Sequence, residues 1–233
     1  LVSRELVADT QTPVSAYLRL AAGSRNTFLL ESVEGGEIRG RFSVIGLSPD
    51  LIWRCRGSVA EINRDPANSG EFSADSRAPI DSLRALMAES AMADTENLPP
   101  MSAGLFGYFG YDMIRHIEAI PDANPAVIDT PDSMLVRPSL IAIFDRLKDS
   151  ITFVVQVRPA EWDEPQAAWS HAQDRIAAAL DALDAPMPPT EAGESTAPLP
   201  DPRSNMEQGD FLAMVDAAKD YIRAGDIFQV VLS

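Results

Sequence analysis

Apolar residues at 14, 17, 18 and 21 recur at helical spacing behind Thr12-Pro13 and stop short of Gly23. That pattern predicts a short helix with Thr12 as N-cap, proline in its first turn and glycine at its C-terminal end. Beyond it the period shortens. Runs rich in β-branched and aromatic residues at 27–31, 42–46, 51–55 and 58–62 predict strands, the last two joined through Arg56-Gly57 as a hairpin. Ile80, Leu83, Leu86 and Met87 follow Pro79 at helical spacing and predict a second helix over 79–92. MSAGLFGYFGYD, residues 101–112, alternates small and aromatic residues and leads into a short amphipathic helix, DMIRHIE. MLVRPSLIAIF (134–144) and SITFVVQV (150–157) flank a turn at 146–149 and predict a hairpin, followed by a helix over 161–183 rich in Ala and Trp.

The pattern then lapses. Residues 184–203 are rich in proline and carry almost nothing that could pack, which predicts an extended linker between a domain at 1–183 and a new one beginning at 204. Ser204-Asn205-Met206-Glu207 has the form of a capping box. Phe211, Met214, Val215, Ala218 and Ile222 continue it as an amphipathic helix up to Gly225. Ile227 to Leu232 predicts a buried strand, so a parent protein that continues past Ser233 is expected.

Charge removes some functions. At a formal −16 with a pI near 4.4 the chain repels a phosphate backbone, so nucleic acid is excluded as a partner. No apolar run approaches the roughly 20 residues of a membrane helix, and no signal peptide is readable. A single cysteine, Cys55, cannot form an internal disulfide, and a cytoplasmic location is the expectation.

Catalytic constellations are sparse. His116 and His171 are far apart in sequence with no ligand-spaced partner, and Cys55, next but one to Trp53, reads as an inert buried thiol. Gly104, Gly107 and Gly110 match no phosphate-binding spacing and read as close backbone packing among Phe106, Tyr108, Phe109 and Tyr111. The segment FLLESVEGGE is different. Glu31 and Ser32 follow an apolar strand and precede a Gly-Gly turn, with Arg39 and Arg41 just beyond. A free amino acid needs a carboxylate for its ammonium group and hydroxyl or guanidinium donors for its carboxylate, and this span carries both. A solvated strand end followed by a turn fits the same residues, and spacing leaves both readings open.

Three ordered blocks carry a resemblance. LLESVEGGEIRGRFSVIGLSP, GLFGYFGYDMIRHIEAIP and SNMEQGDFLAMVDAAKDYIRAGDIFQVVLS resemble the large, chorismate-utilising subunit (component I) of anthranilate synthase, from about residue 10 to the last. The resemblance implies an α+β fold of two stacked, mainly antiparallel sheets flanked by helices. It also implies a regulatory domain at 1–183, a linker at 184–203 and the start of a chorismate domain at 204–233. It places a feedback site for L-tryptophan at Glu31 and Ser32, with Leu30, Arg41 and Ser43 as neighbouring contacts, Leu29 and Phe42 as apolar walls, and the other half of the pocket after Ser233. The implied reaction turns chorismate and ammonia into anthranilate and pyruvate with Mg²⁺, the ammonia coming from glutamine through a glutaminase subunit. The metal-binding glutamates and catalytic histidine belong to the part after residue 233, leaving no metal ligand here and an inactive piece. Gln229 is the one candidate to reach the active site, positioning ammonia where water-adding relatives carry a lysine; a hydrogen-bonding residue inside a packed strand is its other reading. Aminodeoxychorismate synthase component I, and a non-catalytic module that binds tryptophan or a partner, are the alternatives.

Overall fold

Two long runs, 42–56 and 133–145, each carry an unbroken apolar stretch, Leu51–Trp53 in the first and Leu140–Phe144 in the second, which suits strands covered on both faces. The computed structural model describes residues 1–31, 40–93, 96–121, 128–158, 161–189 and 201–232. Two compact units, Leu1–Pro189 and Thr190–Ser233, divide the chain. In the first the elements are β1 (Val2–Val7), α1 (Pro13–Leu20), β2 (Phe28–Leu30), β3 (Phe42–Arg56), β4 (Val59–Asn63), β5 (Ser73–Ala74), α2 (Pro79–Ser90), β6 (Phe106–Phe109), a 3₁₀ turn (Tyr111–His116), β7 (Ser133–Asp145), β8 (Ser150–Val155) and α3 (Pro165–Asp184).

All the strands belong to one antiparallel sheet, ordered β1-β8-β7-β3-β4-β5, with β2 added to β3 and β6 to β7. Register explains the shape. β2 pairs with residues 44–46 of β3 and β4 with residues 52–56, while β8 pairs with 140–145 of β7 and β6 with 133–136. The α+β class stands, and the two expected sheets are two halves of one sheet that share the β3–β7 ribbon.

The ribbon is irregular at one rung. Pro49 faces Pro138, neither of which can donate to the ladder, and one extra residue enters β3 between Pro49 and Leu51. Ser48 takes a left-handed φ of 47°. The sequence reads this stretch as a break between two strands, but the chain passes through it as a bulge. Alternation along β7 puts Leu140, Ala142 and Phe144 on the face packed with Ala16 of α1 and Ala172, Ile176 and Ala179 of α3. Leu135 lies on the opposite face, with Leu51, Trp53 and Cys55 under Leu86 of α2. The extra residue is what lets odd positions of β3 serve both layers.

A third cluster, Val44, Ile141, Ile143 and Val154, is closed by Phe28 and Phe106, whose ring centroids are 4.9 Å apart. Gly46 makes room for this. A Cβ there would lie 2.1 Å from the Phe28 ring. Gly107, with φ at 158°, brings β6 so close to β7 that a Cβ would sit 1.9 Å from the Met134 carbonyl oxygen; the close packing is thus against the β7 backbone and not among Tyr108, Phe109 and Tyr111, which are exposed.

Other boundaries moved by a residue or more. The N-cap at Thr12 holds, reciprocated by Ser15: Ser15 N–H donates to Thr12 Oγ1 at 3.1 Å and Thr12 N–H to Ser15 Oγ at 3.0 Å. α3 begins at Pro165 rather than 161. β1 has no counterpart in the sequence reading, because Ser3, Arg4 and Glu5 interrupt its apolar residues on an edge that faces solvent.

In the second unit, α4 (Gln208–Ala224) closes at Gly225, whose φ is 83°, with Asp226 N–H donating to Tyr221 O at 3.0 Å. The expected capping box does not form: Glu207 is the N-cap without a side-chain bond, and Ser204 Oγ instead bonds the backbone of Met206. The expected strand at 227–232 makes no ladder. Strands need neighbours to take their N–H and C=O groups, and α4 is the only regular element described in this unit. The linker segment 190–200 lies outside the described residues.

Candidate functional site

β2 ends at Leu30, and its register against β3, Phe28 with Gly46 and Leu30 with Val44, brings the following Glu31 level with Ser43. The β7–β8 turn supplies what faces it. Arg146 Nη2 donates to Glu31 Oε1 at 2.9 Å, while Arg146 N–H donates to the Arg41 carbonyl at 3.0 Å. Arg41 forms a two-pronged pair with Asp145, Nε to Oδ1 at 2.8 Å and Nη2 to Oδ2 at 2.6 Å. Leu147 N–H adds a further bond to Oδ1 at 3.1 Å.

These bonds set the charges. Asp145 is held below the usual carboxylate range, first by the Arg41 hydrogen bonds and against the opposing effect of burial. The same bonds raise Arg41. Asp145 therefore remains an anion that fixes Arg41, and the Arg41 fork is largely taken before any ligand arrives.

Beside this pair lies a cleft of about 280 Å³, lined by Gln11, Thr12, Pro13, Glu31, Phe144 and Arg146 among others. It is close to the lower end of the usual range for small-molecule pockets. Glu31 offers an acceptor, Arg146 a guanidinium, Thr12 and Gln11 polar side chains, and Pro13 and Phe144 an apolar wall. This set can hold a small zwitterion with an apolar body. Ser43 is fully buried, with an Oγ that meets no hydrogen-bond partner among the described residues. Leu30 is half exposed, and Leu29 packs into the α1–α3 layer. Ser32 lies outside the described residues.

Of the residues singled out in the sequence, Glu31, Arg41 and Ser43 come together at this end of the sheet. Gln229 is exposed in the second unit. Asp145 and Arg146 are additions that no local pattern marks, since their partners are 104 and 115 positions away.

Cys55 and His116 also meet, Sγ to Nε2 at 3.6 Å, although 61 positions separate them. The thiol is pushed up to about 11, chiefly by burial and secondarily by Asp132, so it stays protonated and is no nucleophile. Among the described residues no three His, Cys, Asp or Glu side chains form a metal-sized group. No helix among them is long and apolar enough to cross a membrane.

Comparison with known proteins agrees with this architecture. Anthranilate synthase component 1 of Cereibacter sphaeroides is 45% identical over all of the chain and 47% of its own length. The protein of the same name from Thermus thermophilus is 35% identical over 99% of the chain and 46% of its own length. The chain thus spans about half the length of these curated relatives. The crystal structure of anthranilate synthase component I from Streptococcus pneumoniae TIGR4 shares the fold, with a TM-score of 0.63 over 97% of this chain and 46% of that one, at 24% identity. Residues 49–233 match the family described as chorismate binding enzyme. The chain belongs to the chorismate binding enzymes, in a portion similar to component 1 of anthranilate synthase.

Proposed function

We propose that the parent protein is the chorismate-utilising component of anthranilate synthase, forming anthranilate and pyruvate from chorismate and ammonia in the first step of tryptophan synthesis. The relatives' names support the reaction, and the ammonia would be released from glutamine by a separate glutaminase subunit. Residues 1–183 act as its regulatory part. The observation that carries this role is the Glu31–Arg146 couple at the mouth of a cleft walled by Pro13 and Phe144. The ammonium group of L-tryptophan binds the carboxylate of Glu31, with Ser32 beside it. Its carboxylate takes donors from Arg146, and its ring lies on the apolar wall and Leu30. Arg41 and Asp145 hold the strand and turn that carry these groups, and Ser43 supports them from beneath.

Inhibition then follows from linkage. Tryptophan favours a domain arrangement poor for substrate, and a coupling of about 1–3 kcal/mol gives a 5- to 150-fold effect. Mg²⁺, which would neutralise substrate carboxylate charge, is assigned to the part of the protein after residue 233. The described residues converge on no group that fits it, so no step here runs through the metal. Gln229 is assigned a positioning role toward ammonia, and the cytoplasm is the expected location.

The test is anthranilate fluorescence with the full-length protein, chorismate, Mg²⁺ and ammonia, with and without L-tryptophan. Product should form and L-tryptophan should suppress it, while Ser32→Phe should keep turning over chorismate in its presence. A product other than anthranilate overturns the reaction. Undiminished inhibition of Ser32→Phe overturns the site.

A further inference from the structure

A second, larger cavity of about 780 Å³ lies where the β3–β7 ribbon is irregular, lined by Arg25, Ser48, Arg64, Ser139, His171 and Arg175 along with Asp50, Asp65 and others. The arginines of this region differ in how they are neutralised. Arg137 is nearly buried, and it shares Asp50 and Glu89, with Nε to Asp50 Oδ1 at 2.8 Å and Nη1 to Glu89 Oε1 at 2.9 Å. Arg158 also donates to Asp50, and Arg64 forms a two-pronged pair with Glu89, both bonds 2.8 Å. Asp50 is thereby divided between two guanidinium groups that do not line the cavity, and Asp65 accepts from Asn68 at 2.8 Å.

Two cavity arginines lack such an answer. Arg175 makes one hydrogen bond, Nη1 to Ser139 Oγ at 2.9 Å, and meets no carboxylate within bonding distance among the described residues. Arg25 has neither hydrogen bond nor ion pair among those residues. Burial lowers the Arg175 guanidinium from its usual value, with the charge of Asp50 only partly opposing it. A partly desolvated cation without a bonded anion is costly unless something supplies one. In a chain of formal charge −16, two unanswered guanidinium groups in one concave site mark a local reversal of sign.

We propose that this cavity binds a small multiply charged oxyanion, a carboxylate or phosphate group bridging the guanidinium forks of Arg175 and Arg25. The fork geometry of arginine matches both groups. His171 lies on the wall, stacked on Trp162 with ring centroids 5.0 Å apart, so occupancy is felt at a tryptophan. The cavity is separate from the cleft at Glu31, and the proposal stands or falls independently of the tryptophan site.

The chain of residues 1–233 is titrated at low ionic strength with inorganic phosphate, pyrophosphate and succinate, read by calorimetry and intrinsic fluorescence. At least one should bind saturably, and whether the phosphates or the dicarboxylate bind tighter identifies the group. Arg175→Met and Arg25→Gln should each weaken the preferred anion about tenfold, the loss of one charge-assisted contact. Arg25 is exposed, so its replacement leaves folding intact and keeps the test decisive if Arg175→Met unfolds. Arg84→Gln, on the exposed face of α2, should bind as wild type. No saturable binding of any of the three, unchanged affinity in Arg25→Gln, or an equal loss in Arg84→Gln would overturn the proposal.

Discussion

The cleft at Glu31 and the cavity at Arg175 both lie beside the β3–β7 ribbon, and they treat arginine in opposite ways. At the cleft each guanidinium faces a carboxylate: Arg41 holds Asp145 and Arg146 holds Glu31. At the cavity Arg64 is paired with Glu89, but Arg175 meets only the Ser139 hydroxyl and Arg25 meets no carboxylate among the described residues. The difference teaches that a paired arginine builds a wall and an unpaired one waits for a ligand. Paired charges fix the strand ends around an apolar slot, which suits a zwitterion with a large side chain. Unpaired charges suit an anion, whose own charge completes the set.

The largest way to test this contrast is to remove the anion between the two arginine groups. Asp50→Ala leaves Arg137 and Arg158 without their shared carboxylate and should destabilise the protein by about 3 kcal/mol in urea unfolding. A loss below about 1 kcal/mol would mean that those cations are not held by Asp50. Next comes Gly46→Ala, whose new methyl group meets the Phe28 ring and should cost about 1–3 kcal/mol. Because Phe28 and Glu31 lie on one short stretch, this variant should also bind tryptophan more weakly, and unchanged affinity would detach β2 from the site.

Acid titration separates the two regions further. The Asp145 carboxylate is depressed in the folded state, so its stabilising contribution is full above its unfolded value of about 4 and drains away as pH falls below that toward the folded value. Asp145→Asn should flatten that acid limb of stability against pH, whereas Arg175→Met should leave the limb unchanged. Arg175→Met should alter stability by no more than about 1 kcal/mol, because it removes one hydrogen bond and one unanswered charge together. The smallest effect concerns Cys55. Its thiol, pushed up to about 11, should resist a thiol reagent at neutral pH until the protein unfolds, and fast labelling of the native state would place the 51–55 layer in solvent.

Much of the fold was legible because periodicity is local. The helix behind Thr12, the hairpin across 146–149 and the helix closed by Gly225 each announce themselves in one continuous stretch of chain. What escaped depended on distant partners or on broken patterns. Pro49 imitates a strand end, and only its pairing with Pro138 reveals that the ladder continues on either side. The run at 227–232 has strand composition but forms no ladder among the described residues. At the site, Glu31 and Arg41 stand out in the sequence, yet the groups that fix them, Arg146 and Asp145, lie in a turn that looks like any solvated hairpin loop. Arg175 is hidden in the same way, as one charge on an ordinary amphipathic helix whose meaning depends on the bulge it faces.

The most direct measurement is a calorimetric titration of L-tryptophan into the full-length protein and its Glu31→Gln variant. If the Glu31 cleft is the regulatory site, the wild type binds saturably and the variant at least about tenfold more weakly, since a neutral amide replaces the partner of the ammonium group. Equal affinity in the two proteins would contradict the account, because the amino acid would then be held by groups other than those assembled at the end of β2.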